Sequence, residues 1–217
     1  TVSVWVFADV RAVWDAFSSK NAAGDEAYFF GANNSDSTQV MFLINSIIYA
    51  NTGAGDYTAG AWDHWGLVYN GAGATNPDKV KIYKNGINLA LTFPSAPPAT
   101  ITGAATGTVL VGTVQRIGAF ADFKIAHHKL WLAELTSAEV TQEMNSYRPV
   151  RLANLTLWSP YDDGQNARDF SGNGNHGTVT GALQAQGPPV SYGGETRRPP
   201  LFYPPWRRGE KERLWHT

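Results

Sequence analysis

The sequence predicts an all-β fold: a two-sheet antiparallel jelly-roll sandwich with one short helix and an extended Pro/Arg-rich C-terminal arm. Three observations carry this prediction. Short apolar runs alternate with turn-forming residues along most of the chain, as strands and hairpins require. A helical signature occurs only at 136–147, where Thr136 and Glu139 are spaced as a capping box. The segment 188–217 holds 6 of the 12 prolines, which excludes helix and central strand there.

The elements follow in order. Strand-like runs lie at 2–7, 27–31, 39–44, 46–50, 65–70, 79–84, 87–93, 108–112, 123–131, 154–159 and 177–184. Turn chemistry separates them at Asn33-Asn34-Ser35-Asp36, Gly53-Ala54-Gly55-Asp56, Asn70-Gly71, Asn85-Gly86 and Gly172-Asn173-Gly174-Asn175. Asn-Gly suits a type I′ turn, in which both central residues need φ > 0, so 79–84 and 87–93 read as a hairpin. Within it Val80, Ile82 and Lys84 share one face, and Lys79, Lys81 and Tyr83 the other. In 123–131, alternation places Phe123, Ile125, His127 and Lys129 on one side and Lys124, Ala126, His128 and Leu130 on the other. The Pro/Ala/Gly stretch 94–107 reads as an exposed loop, and Glu134, Glu139 and Glu143 as a helix cap and solvated face.

Composition bounds the function. The chain has 217 residues, 43% of them hydrophobic and 16% charged, enough to bury a core. A net charge of −1 gives it no electrostatic case for nucleic acid. The absence of cysteine excludes a disulfide scaffold and a thiolate zinc site. No apolar run reaches the length of a membrane-spanning helix, so membrane insertion is not expected. The chain begins at Thr1 within a strand-like run, and is expected to be part of a longer protein.

The division expected is a sandwich over 1–187 and an arm over 188–217. From Glu195 onward the arm carries six Lys/Arg and three Glu, interleaved with aromatic residues. It should run as polyproline II, with Leu201, Phe202, Tyr203 and Trp206 as anchors and Arg197 and Arg198 as its basic contacts. Either it wraps its own domain, or it docks on a neighbouring subunit.

Four segments carry a resemblance. They are Trp62-Asp63-His64 running into Tyr69-Asn70-Gly71, the hairpin Ile82-Tyr83-Lys84-Asn85-Gly86, the run Leu135-Thr136-Ser137-Ala138-Glu139-Val140, and Asp169-Phe170-Ser171-Gly172-Asn173-Gly174-Asn175-His176-Gly177. Together they resemble the laminin-G-like, concanavalin-A-like lectin/glucanase sandwiches, a family composed mostly of binding and structural modules. In most relatives the Ser-Gly-Asn-Gly motif opens the domain, whereas here it comes last. The resemblance therefore implies a circular permutation in which 154–184 completes the sandwich, or else the start of a second copy. The link Tyr147-Arg148-Pro149 and the Pro/Arg-rich ending are similar to those of laminin-G-like modules in phage structural proteins.

The candidate chemistry is weighed on spacing. Glycoside hydrolysis needs two carboxylates facing each other across a cleft. The sandwich glucanases of the family carry theirs on a Glu-x-Asp-x-Glu strand, and no such strand occurs here. Asp25-Glu26 and Asp162-Asp163 are adjacent pairs beside turns, so no enzymatic activity is expected. His64 and His176 read as structural, and His127 and His128 point to opposite faces, unsuited to a shared metal. Calcium is a possible cofactor, with Asp56, Asp78 and Asp122 as turn-adjacent ligands. Sugar stacking falls to Trp14, Tyr57 and Tyr161, which lie near loops, while Trp5, Trp62 and Trp131 read as core. The expected function is a non-catalytic structural or binding module of a virion (a phage decoration, fibre or capsid-associated protein) or an extracellular setting. It would oligomerise with itself or other virion subunits through the arm and recognise a surface glycan. The alternatives are a secreted calcium-assisted lectin and a glycan-active hydrolase.

Overall fold

Alternation along the first strand sends Val2, Val4, Val6 and Ala8 into one core while Ser3, Trp5 and Phe7 face the other way. The computed structural model describes residues 1–22, 25–101, 107–114, 119–161, 167–183 and 185–190. Its strands are β1 (Val2–Ala8), β2 (Ala16–Ala22), β3 (Asp25–Ala32), β4 (Val40–Ile44), β5 (Ile47–Asn51), β6 (Trp62–Tyr69), β7 (Val80–Lys84), β8 (Ile87–Asn88), β9 (Thr108–Leu110), β10 (Thr113–Val114), β11 (Ala119–Phe120), β12 (Phe123–Trp131) and β13 (Leu155–Ser159). The helices are α1 (Asn76–Lys79) and α2 (Ser137–Asn145).

Two antiparallel sheets face each other. One runs β13-β12-β1-β6-β7-β8, the other β5-β4-β3-β2-β9, and β10 pairs with β11 in a small ribbon. The predicted sandwich is therefore observed. Between the sheets Val4, Phe30, Phe42 and Ile82 are essentially inaccessible to solvent; each such side chain contributes about 1.5–3 kcal/mol by leaving water. Toward one end, Phe17 of β2 packs against Tyr57 and Trp65, with ring centroids 5.3 and 5.7 Å away. The Asn85-Gly86 turn has φ of 50° and 79°, as the hairpin requires. Its second strand, however, is only Ile87–Asn88, and the chain rejoins a sheet later through a bridge from Thr92 to Asn51.

The alternation predicted for 123–131 is corrected by a β-bulge. Ser3 pairs with Lys129 and Trp5 with Ala126, so Val4 opposes both His127 and His128. His127 takes up the extra residue at φ 52°. The phase then flips: Phe123, Ile125 and Leu130 pack into the central core, and His128 reaches Ser18 of the opposite sheet. Lys129 and Trp131 point outward beneath α2.

Helix α2 starts as the sequence indicates. Thr136 Oγ1 accepts from Glu139 N at 3.2 Å, and Thr136 N donates to Glu139 Oε2 at 2.7 Å. Glu143 does not belong to a solvated face. It is buried against Lys129 Nζ at 2.5 Å, and Lys129 also donates to Ser146 O at 2.8 Å. Strand β13 adds an edge to β12. Asp169 then ties the following loop to β13, accepting from Trp158 N, Ser171 N and Asn175 N. The described part of 177–184 forms no strand. The loop 94–101 is also less exposed than expected: Pro97 is buried, Lys79 Nζ donates to Pro97 O at 3.0 Å, and Tyr69 Oη donates to Pro98 O at 2.5 Å.

Candidate binding site between the sheets

At the end of the sandwich away from the Phe17–Trp65 cluster, the sheets part around a pocket of about 410 Å³. Its inner wall is apolar except for Lys20 of β2. Val2, Leu67 and Leu130 come from one sheet, Tyr28 and Phe42 from the other. Tyr69, Gly71 and Ile101 form a side wall, and Leu132, Ala133, Asn70 and Glu134 stand at the mouth.

Local structure fixes each part. The turn after β12 is held by Thr1, whose Oγ1 donates to Ala133 O at 2.7 Å and accepts from Leu135 N at 3.0 Å. The wall carrying Ile101 is held by the Tyr69–Pro98 hydrogen bond and by Gly71. A Cβ at residue 71 would lie 1.7 Å from Ala99 O, so only glycine admits this approach. At the rim Asn70 Nδ2 donates to Glu134 Oε2 at 2.8 Å, and Lys81 Nζ to Glu134 Oε1 at 3.2 Å.

The tyrosines offer the pocket their rings more than their donors. Tyr28 Oη and His128 Nε2 both bond Ser18 Oγ, at 2.9 and 3.0 Å. Burial pushes the Tyr28 phenol up to about 12 and holds the His128 imidazole down to about 4, so this chain of groups is neutral at pH 7. Burial also raises the Tyr69 phenol, with a smaller contribution from Tyr49. The described lining contains one carboxylate, Glu134. A retaining or inverting glycosidase needs two.

The residues singled out from sequence lie elsewhere. Tyr57 is corrected outright: it is 1% exposed, packed in the core and donating to Asp15 Oδ2 at 3.1 Å, so it cannot stack on a sugar. Trp14 is half-buried on the outer face of the five-stranded sheet, its ring edge-on to Phe29 at 5.4 Å. Tyr161 is half-buried just beyond β13. The three aspartates form no site. Asp78 closes the α1 capping box with Thr75, the Asp56 carbonyl accepts from Lys84, and Asp122 is exposed before β12. Among the described residues no group of three or more His, Asp or Glu could hold a metal ion. His64 and His176 do have the structural roles expected, bonded to Ser3 Oγ at 2.8 Å and to Asp169 N at 3.1 Å. Arg197, Arg198, Leu201, Phe202, Tyr203 and Trp206 lie outside the described residues. No described helix is long and apolar enough to cross a membrane.

Sequence reasoning missed Tyr28, Ile101 and Leu132. The one signal that pointed here is Tyr69-Asn70-Gly71, the end of the Trp-x-His strand.

The family model described as concanavalin A-like lectin/glucanases superfamily matches residues 1–141. The chain belongs to that superfamily. Solved structures are similar to the chain at low identity. A Bacteroides ovatus protein described as a candidate carbohydrate-binding protein is 15% identical with a TM-score of 0.62, over 88% of this chain and 55% of that one. The heptameric SAP-like pentraxin of Limulus polyphemus is 16% identical with a TM-score of 0.49, over 69% and 71%. Domain 4 of the Geobacillus stearothermophilus extracellular arabinanase AbnA, in complex with arabinotriose, is 17% identical with a TM-score of 0.46, over 66% and 65%. The chain thus spans only about half the length of the Bacteroides ovatus protein. No curated protein sequence matches it.

Proposed function

We propose that this superfamily member is a non-catalytic binding module that takes the end of a glycan into the pocket between its sheets. The observation that carries the reading is the pocket itself, with ring and aliphatic walls for the apolar face of a sugar and an Asn70–Glu134 rim for its hydroxyls. A single described carboxylate supports binding over hydrolysis. The carbohydrate-binding description of the Bacteroides ovatus neighbour agrees at the level of the fold. None of Asp56, Asp78 and Asp122 lines the pocket, so this reading assigns no role to calcium.

The setting we propose is a virion or another extracellular surface, with 188–217 as the arm that joins this module to like or unlike subunits. Its basic, aromatic and proline-rich composition supports that role. Titration calorimetry against a panel of surface glycans tests the binding reading. Binding should survive chelator and be lost in Ala133→Trp, which fills the mouth. No binding to any glycan, or binding indifferent to Ala133→Trp, contradicts it. Light scattering of the chain cut after residue 187 tests the arm: an assembly should fall apart, and an unchanged mass refutes that role.

A further inference from the structure

The pocket is polar at its mouth and at Lys20, which lines it beside Tyr28. Asn70 and Glu134 stand at the rim, while Val2, Phe42, Leu67 and Leu130 close the interior. The two phenols that reach it are already engaged, Tyr28 with Ser18 and Tyr69 with the Pro98 carbonyl. Behind Tyr28, Ser18 and His128 are fully buried, so the floor is closed by the core. A sugar hydroxyl carried against Val2, Leu67 and Leu130 would lose water and gain no partner from those side chains. A methyl group there would gain by leaving water.

The volume sets the size of the occupant. At about 410 Å³ the pocket has room for a sugar residue with a substituent.

From these observations, and resting on the glycan-binding reading above, we infer that the pocket selects a terminal sugar bearing a methyl-ended substituent, either a 6-deoxy methyl or an N-acetyl methyl. The ring lies at the mouth against Tyr69 and Leu132, and its hydroxyls face Asn70 and Glu134. The methyl points inward, toward Leu67, Leu130 and the half-buried Ile101.

Matched pairs of methyl glycosides test this by calorimetry or ligand-observed NMR. One arm compares L-fucoside with L-galactoside and L-rhamnoside with L-mannoside. The other compares N-acetylglucosaminide with glucoside and N-acetylgalactosaminide with galactoside. A methyl in an apolar pocket discriminates by roughly tenfold to two-hundredfold, so the methyl-bearing member of at least one pair should bind at least about tenfold more tightly. Which arm responds tells the deoxy source from the acetyl source. Ile101→Ser, on the half-buried wall, should shrink that ratio, with thermal melting confirming a folded variant. Equal binding within every pair, preference for the hydroxylated member, or a ratio untouched by Ile101→Ser overturns the inference and leaves the glycan-binding reading standing. Failure of every glycoside, and of the surface glycans above, overturns both.

Discussion

Acidification from pH 7 to pH 5 should strip this sandwich of much of its stability through three histidines. Burial holds His64 and His127 down to about 3 and His128 to about 4, from an ordinary 6.5. The Lys129 charge adds to the depression of His64 and His127. In the unfolded chain each imidazole returns to 6.5. Between about 4 and 6.5 the unfolded state therefore binds more protons than the folded one. The stabilising effect is complete above 6.5 and is lost as the pH falls. At pH 5, 1.5 units below the unfolded value, each histidine costs about 2 kcal/mol, and three independent groups about 6 kcal/mol. That rivals the whole stability of many domains, about 5–15 kcal/mol. Asp15 and Glu143, both raised by burial, act in the opposite sense and trim the total. Urea unfolding at half-unit steps between pH 7 and pH 5 measures the effect. His128→Asn should remove about 2 kcal/mol of the pH dependence, whatever it does to stability at pH 7. A midpoint flat across this range would refute the reasoning, because it would mean that these imidazoles charge as readily folded as unfolded.

Other substitutions probe the frame of the pocket. Glu143→Gln leaves Lys129 charged and buried, and should cost about 3–5 kcal/mol in denaturant unfolding, whereas Lys129→Met with Glu143→Leu should be near neutral or stabilising. Gly71→Ala should push the 98–101 segment off the pocket wall and weaken glycan binding in calorimetry, with a lower melting temperature, because its Cβ would overlap Ala99 O. Asp169→Ala removes the acceptor for Trp158 N, Ser171 N and Asn175 N and should cost about 1.5–3 kcal/mol or more. Limited proteolysis should then cut within 167–177 sooner than in the parent chain.

Much of the fold was legible because its strands obey simple alternation. Val2–Ala8, Val40–Ile44 and Val80–Lys84 bury the residues that their period demands. Strand β2 was invisible because its middle is polar: Ser18 and Ser19 are buried only by virtue of their bonds to Tyr28, His128 and the Thr113 carbonyl, which no local pattern reveals. The bulge at His127 was equally hidden, since it reflects pairing against Val4 and leaves no turn residue in the sequence. The pocket gathers residues from β1, β2, β3, β4, β6 and β12 together with Ile101, so it exists only in the folded chain. Tyr69-Asn70-Gly71 alone gave notice of it, through the motif that carried the family resemblance. Tyr57 misled because its loop position hides the contact with Asp15 that draws it inward.

Amide NMR of the labelled chain, titrated with the tightest-binding methyl glycoside, tests the central claim most directly. Shifts concentrated on Asn70, Gly71, Leu132, Ala133 and Glu134, saturating together, are the predicted result. Shifts centred on Trp14 or on Tyr161, with those five amides unmoved, would contradict the pocket as the glycan site.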